Sequence, residues 1–466
     1  MSSSLLHLLF IFISINWFLI FTPIFNFFNF NWFLIWTCAI SSLLLLNHPF
    51  IDGYYFGAII NINTFSLFVL FIFTIIFIGY LYTLFNTSVS KFKELPLLFL
   101  IIYFGFTTLM VSNDLLILYL SIELFSLTFY LITTIHQNYY TTEAGIKYFI
   151  YNFIAGAFYL LGCTLIYFYF GTINFVNLIE LTSLNTLFGD TGVASLGFIF
   201  IIISFLFKLS IAPFHFWTPD VYQGVLYPIT AFFTIFPKFV VASFFLKFYT
   251  FILYFPSLNS FLIICGLFSI FIGAIGAFSQ YNIKRLFAYS TILNGGFIIT
   301  LISLGTPIST QSFFFYLITY MIANLGLFSI LTNLKVSHLL GLKEITENSK
   351  ILTLFLAIPV FSLAGLPPFV GFLAKFISIY LVFNNNLTFV AVFMLAFSII
   401  SLFYYLRFVH YLYFYNSPSN HKEEISFNIY QTYIIIISNF GLLFFSLNPS
   451  FLFLISSVLS SLNVSW

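Results

Sequence analysis

Along most of its length the chain alternates apolar stretches of about twenty residues with short polar joints. About twenty residues of helix span the roughly 30 Å hydrocarbon core of a bilayer, so each stretch predicts a membrane-crossing helix. The pattern predicts fourteen, at about 5–25, 29–47, 64–86, 96–112, 114–135, 144–170, 194–215, 225–250, 258–279, 284–303, 311–333, 350–383, 387–412 and 428–447. A last apolar piece, Phe451 to Val464, is too short to span and is expected in the interface. The expected fold is an all-α polytopic membrane protein, since no polar segment is long enough for a separate soluble domain.

Two of these spans carry breaks. Pro213 follows Lys208 by five residues in the seventh, and Pro367-Pro368, flanked by Gly365 and Gly371, precede Lys375 in the twelfth. Proline removes a backbone donor and clashes with the preceding turn, and the freed groups are tolerated at membrane depth only beside protein or a polar cavity. Interrupted helices in corresponding places of two halves point to an inverted-repeat transporter site. Spans four to eight and nine to thirteen form two five-helix blocks, inverted because five is odd. The expected organisation is residues 1–95 (spans one to three), 96–250 and 258–412 (the two repeats), and 413–466 (span fourteen and the interfacial tail).

The basic residues fix an orientation. Lys91, Lys93, Lys147, Lys284, Arg285, Lys335, Lys343, Lys350, Arg407 and Lys422 fall in or beside loops after odd-numbered spans, and only Lys247 flanks the other side. By the positive-inside rule both termini face outward and the odd loops face the cytoplasm or matrix. No basic residue precedes Lys91, so a cleaved leader is not expected.

Composition narrows the chemistry. Only 6% of residues are charged and 62% are hydrophobic, against roughly 25% charged in a soluble domain. The net charge of +2 comes without a basic cluster interleaved with aromatics, which argues against nucleic acid as a partner. The 73 phenylalanines exceed what hydrophobicity requires and suggest the drift of an AT-rich organelle genome. Cys38, Cys163 and Cys265 lie singly in three spans, without ligand spacing for a metal, haem or iron–sulfur centre, and read as buried inert thiols.

Against this background four charges sit inside spans: Glu123, Lys208, Lys238 and Lys375. A Lys or Asp at a helix centre costs about 2.5–3.5 kcal/mol on insertion scales, which marks such residues as functional. Tyr119, Glu123, Ser126 and Tyr130 fall on one helical face. Lys208 is the expected partner of Glu123; a pair at about 4 Å would attract by roughly 4 kcal/mol at an effective dielectric of 20. Thr230 and Thr234 share a face with Lys238, and Ser378 follows Lys375 by three residues. Lysine suits a proton relay because burial shifts its proton affinity readily, whereas arginine stays charged. His215 would extend the relay or serve as an interfacial hydrogen-bonding residue. Glu143 and Lys147 read as an i,i+4 pair near a helix start, and Glu180 and Asp190 as solvated loop residues.

Several segments carry a resemblance. FKLSIAPFHFWTPDVYQG, Phe207 to Gly224, resembles the signature of the NADH dehydrogenase subunit 2 family, antiporter-like membrane subunits of respiratory complex I. EAGIKYF at 143–149, NIKRLFAYSTI at 282–292 and SLAGLPPFVGFLAKF at 362–376 are similar to further family segments, whereas the first three spans match only in number and hydrophobicity. The resemblance implies a subunit that helps couple NADH:ubiquinone electron transfer to proton pumping, in the mitochondrial inner membrane or a bacterial plasma membrane. It implies Glu123, Lys208, Lys238 and Lys375 as the relay. It also implies no cofactor in this chain, with NADH, FMN, iron–sulfur clusters and ubiquinone handled by other subunits, and subunits 4 and 4L and membrane lipid as neighbours. Many relatives carry an acidic residue where Gln223 stands and His where Asn294 stands, so neither position is assigned a charged role. The competing readings are a subunit of a multi-subunit sodium/proton antiporter or membrane-bound hydrogenase, and a membrane scaffold that does not pump.

Overall fold

The computed structural model describes residues 3–21, 30–46, 53–84, 92–185, 192–334, 336–342, 350–414 and 427–463. Lys91, Asp190, Lys335, Lys343 and Lys422, singled out above, lie outside the described residues. The described chain is almost wholly helical. In order run α1 (Ser3–Phe21), α2 (Phe30–Leu46), α3 (Thr64–Leu84), α4 (Leu95–Val111), α5 (Leu115–Thr134), α6 (Tyr139–Phe170) and α7 (Phe175–Asn185). Then come α8 (Gly192–Leu209), α9 (Trp217–Gly224), α10 (Tyr227–Phe245), α11 (Tyr249–Tyr254), α12 (Pro256–Phe278), α13 (Ile283–Ser303) and α14 (Pro307–Leu331). The last are α15 (Lys350–Ala364), α16 (Val370–Asn384), α17 (Thr388–Tyr413), α18 (Ile429–Leu447) and α19 (Ser450–Asn463).

Each expected span overlaps a described helix. Ten of the described helices are long and apolar enough to cross a membrane, while apolar stretches such as Leu95–Val111, Lys350–Ala364 and Val370–Asn384 are shorter. The twelfth span is two helices, α15 and α16, because Gly365 turns left-handed (φ 80°) before Pro367 and Pro368. The seventh ends at Leu209, not near 215, and the chain resumes as the separate short helix α9. Ser210 is left-handed there (φ 55°), one of the few non-glycine residues in that region. Besides α9, two further regions escape the hydrophobic pattern. The short helix α7 carries the exposed Glu180, where a loop was expected. A small antiparallel hairpin, β1 (Gly53–Tyr55) with β2 (Ile60–Ile62), precedes α3.

Helix starts follow local chemistry. Asp114 accepts from Leu116 N at 2.8 Å, and Asn282 from Lys284 N at 3.0 Å, each satisfying a first-turn donor. Thr306 and Ser309 bond reciprocally around Pro307, which sits where its missing N–H is not needed. Helix α6 begins five residues earlier than expected because Thr141 Oγ1 accepts from Asn138 N at 2.9 Å, and it ends on left-handed Gly171.

The chain forms two compact units. The first comprises Met1–Leu84, Ser88–Lys208 and Val240–Leu258. Its interior is aromatic: Phe205 packs on Phe244, Phe245 and Phe248, and Phe198 stacks on Phe251 at 4.5 Å. The hairpin is tied down by Ala58 O, which accepts from Asn113 Nδ2 at 2.8 Å and Asn174 Nδ2 at 2.9 Å.

The second unit comprises Phe85–Thr87, Leu209–Phe239 and Asn259–Trp466. At its centre α14 packs against α13, α15, α16, α18 and α19. In their most apolar stretches α13 and α14 bury 94% and 89% of residues, as a helix enclosed by others must, whereas the corresponding stretches of α17 and α18 bury only 33% and 28%. Arg407 on α17 closes the C-terminus of α12: it donates to Phe278 O at 2.6 Å, Gln280 O at 2.7 Å and Ala277 O at 3.2 Å. A cation there meets carbonyls that have no partner within their own helix.

Candidate functional site

In the first unit, Glu123 faces α6. Asn152 Nδ2 donates to Glu123 Oε2 at 3.4 Å and to Ser126 Oγ at 2.9 Å, and Ser126 Oγ lies 3.3 Å from Oε2. Close approach is possible because position 156 is glycine; a Cβ there would stand 2.8 Å from Glu123 Oε1. The stripe of Tyr119, Glu123 and Ser126 therefore does face one neighbour, and Tyr119 stacks on Tyr159 of that helix at 5.6 Å. Asn152 is the partner that sequence reading missed, since an amide in a long apolar helix carries no signal until its face is known.

Lys208 ends up in the last turn of α8, 7% exposed, with Nζ 5.8 Å from the centre of the Phe125 ring. The closed ion pair expected with Glu123 is not made: Lys208 Nζ and Glu123 Oε1 each lack a direct hydrogen-bond partner, although the two lie near enough for their charges to interact. A buried ammonium without a fixed partner is held against a ring face, a weaker arrangement than a hydrogen-bonded pair.

A further buried cation belongs to this unit. Lys247, read as a loop flank from sequence, is 8% exposed, donates to Met110 O at 2.9 Å and Ser112 O at 3.0 Å, and lies over the Phe244 ring at 4.7 Å. Its place at the end of an apolar run concealed this, because a lysine there ordinarily snorkels.

In the second unit, Lys238 is 3% exposed and donates to Ser210 Oγ, the side chain of the left-handed residue that opens the break. Thr230 and Thr234, two turns and one turn before it on the same helix, donate their hydroxyls back to Tyr227 O and Ala231 O. His215 is buried and its ring packs on Phe216 at 4.8 Å. Lys375 is 6% exposed; it donates to Ala364 O at 3.0 Å, a carbonyl freed by the break, and to Ser401 Oγ at 3.4 Å. Ser378, three residues on, donates its hydroxyl to Lys375 O at 2.7 Å. Gly371 lets α16 cross α15 at this point, since a Cβ would stand 1.9 Å from Ser362 O. Asn294 is held between Tyr316 Oη, which donates to Oδ1 at 2.7 Å, and Ser290 O, which accepts from Nδ2 at 2.8 Å.

Within each unit the described geometry pairs a helix break or a close helix crossing with a buried ionisable group whose partners are neutral. Glu143 and Lys147 do form their ion pair at 2.8 Å, yet both are more than a third exposed and belong to the helix surface. Among the described residues no three His, Cys, Asp or Glu converge on a point that would hold a metal, and Cys38, Cys163 and Cys265 are buried and free.

The fold is that of an antiporter-like, multi-pass membrane subunit. Residues 112–401, well over half of the chain, match the family described as NADH:quinone oxidoreductase/Mrp antiporter, TM, and the chain belongs to that family. Its relatives include NADH-ubiquinone oxidoreductase chain 2 of Rhizopus oryzae, 37% identical over 71% of this chain and 66% of that one. The Marchantia polymorpha chain 2 is 35% identical over 74% and 72%. NADH-quinone oxidoreductase subunit N of Pelagibacter ubique is 32% identical over 88% of each. The fold is shared with a chain of respiratory complex I from Thermus thermophilus (TM-score 0.82, 24% identity, 96% and 98% covered). A chain of the Mrp complex of Dietzia sp. shares it equally (TM-score 0.81, 16% identity, 98% and 96% covered).

Proposed function

We propose that the chain is a membrane-arm subunit of a proton-translocating NADH:ubiquinone oxidoreductase, in which Glu123, Lys208, Lys238 and Lys375 relay protons. The observation that carries the reading is the burial of three lysines in apolar helices, none of them in a closed ion pair. The fold does not separate this from a sodium/proton antiporter subunit; the relatives described above, named as chain 2 and subunit N, favour the oxidoreductase.

The mechanism follows from charge. Glu123 sets how readily Lys208 holds its proton. When the carboxylate is drawn away, Lys208 loses its counter-charge and releases the proton toward Lys238, and Lys375 carries it onward; His215 is a further candidate member. The chain holds no redox centre of its own, and electron transfer occurs in other subunits. Its neighbours are other membrane-arm subunits, including subunits 4 and 4L, and the membrane is the mitochondrial inner membrane. Spans four to eight and nine to thirteen are inverted repeats. That Ser210 and Gly365 both turn left-handed where their helices end supports the correspondence. Both chain ends face outward.

Separation of the host membranes on a native gel tests the assignment. The chain is expected to comigrate with NADH dehydrogenase activity, and migration apart from it would reject the oxidoreductase reading. In the assembled complex, Lys238→Ala is expected to abolish coupled proton pumping; wild-type pumping by that variant would reject the relay.

A further inference from the structure

Asn152 lies on α6 one turn before Gly156 and is 8% exposed. Its Nδ2 carries two N–H donors. One is directed at Ser126 Oγ at 2.9 Å and the other at Glu123 Oε2 at 3.4 Å. Ser126 Oγ itself lies 3.3 Å from Oε2. The carboxylate is thus held on the α6 side by an amide and a hydroxyl. Lys208 Nζ, near enough for its charge to be felt at Glu123, makes no hydrogen bond to it. The orientation of the amide is informative. Asn152 Oδ1 is buried and makes no direct hydrogen bond, which is costly for a polar atom. The reverse orientation would set that oxygen against the carboxylate, so the acid dictates which end of the amide faces it.

We propose that Asn152 is a positioning residue whose amide competes with Lys208 for the Glu123 carboxylate and holds it on the α6 side. The inference rests on Glu123 governing the Lys208 proton, and it supplies the place that the carboxylate occupies when drawn away. Asn152 takes and gives no proton. A rotation of the Glu123 side chain exchanges the amide donor for the ammonium. A neutral donor suits the task, because hydrogen bonds in which both partners are charged are stronger, and a cation on α6 would hold the carboxylate against return. Gly156 makes the room, since a Cβ there would stand 2.8 Å from Oε1.

High-resolution maps of the intact complex, with pumping by assembled variants, test this. In the wild type a Glu123 conformer within hydrogen-bonding distance of Asn152 Nδ2 is expected, and a carboxylate found only on Lys208 overturns the proposal. Asn152→Leu keeps the size and removes the donors. It is expected to bring the carboxylate into direct contact with Lys208 Nζ and to slow coupled pumping about tenfold, the weight of one hydrogen bond to a charged group. An asparagine that served only to pack α6 on α5 would lower assembly without bringing the carboxylate to Lys208. An assembled leucine variant with Glu123 unmoved, or one that pumps at the wild-type rate, overturns the proposal; if that variant does not assemble, the wild-type map decides. Glu123→Gln separates the two levels. Wild-type pumping by that variant would reject the relay itself, whereas impaired pumping there beside wild-type pumping by Asn152→Leu rejects only the role of the amide.

Discussion

Gly365 is the floor on which the Lys375 side chain rests: a Cβ at position 365 would stand 2.8 Å from Lys375 Cδ and 3.5 Å from Cε. The same residue is left-handed, a conformation costing an L-residue about 1–2 kcal/mol. Gly365→Ala is therefore expected to displace Lys375 and lower coupled quinone reduction in assembled complexes. Gly441→Ala, where a Cβ meets nothing closer than 3.5 Å, is the control and should be near neutral. Equal activities in the two variants would show that Lys375 does not need this seat.

At Glu123, Gly156 plays the equivalent part. Gly156→Ala is expected to push Glu123 Oε1 from its place and to reproduce the phenotype of Glu123→Gln, with the complex assembled but pumping reduced. Proton-pumping assays on vesicles decide it; wild-type pumping by Gly156→Ala would show that the carboxylate position is not limiting.

Lys208→Arg keeps the charge and removes the ability to release it, because guanidinium does not deprotonate in proteins. Pumping is expected to fall nearly as far as in Lys208→Ala. An arginine variant that pumped at wild-type rate and stoichiometry would mark Lys208 as a structural cation over the Phe125 ring.

Arg407→Ala should behave differently. Hydrogen bonds to a charged group contribute about 1.5–3 kcal/mol each, so losing the bonds to the end of α12 is expected to lower thermal stability and assembly. Pumping per assembled complex should stay unchanged, and a selective loss of pumping would place Arg407 in the relay instead.

The helices were legible in the chain because a bilayer demands long apolar runs, and so were the four charges, because apolar runs expose them. Their partners were not. Ser210 meets Lys238 across twenty-eight residues, and Ser401 meets Lys375 across twenty-six, through helix crossings that no periodicity encodes. The serines and threonines adjacent in sequence do not supply those partners, since a hydroxyl inside a helix usually bonds back to the carbonyl three or four residues earlier. Lys247 shows the converse: a cation placed where snorkelling is the ordinary outcome was instead drawn inward by two carbonyls at the end of α4.

The joint at Ala58 bears on how Glu123 can move. One carbonyl anchors Asn113, at the start of α5, together with Asn174, and Lys247 grips Met110 and Ser112 just before it. With that end fixed, any rigid tilt of α5 would pivot near Leu115. At 1.5 Å per residue Glu123 lies about 12 Å from that point and Thr134 about 28 Å, so a tilt that moved Thr134 by one ångström would move the Glu123 backbone by about 0.4 Å. The acid thus sits on the short arm of its own helix.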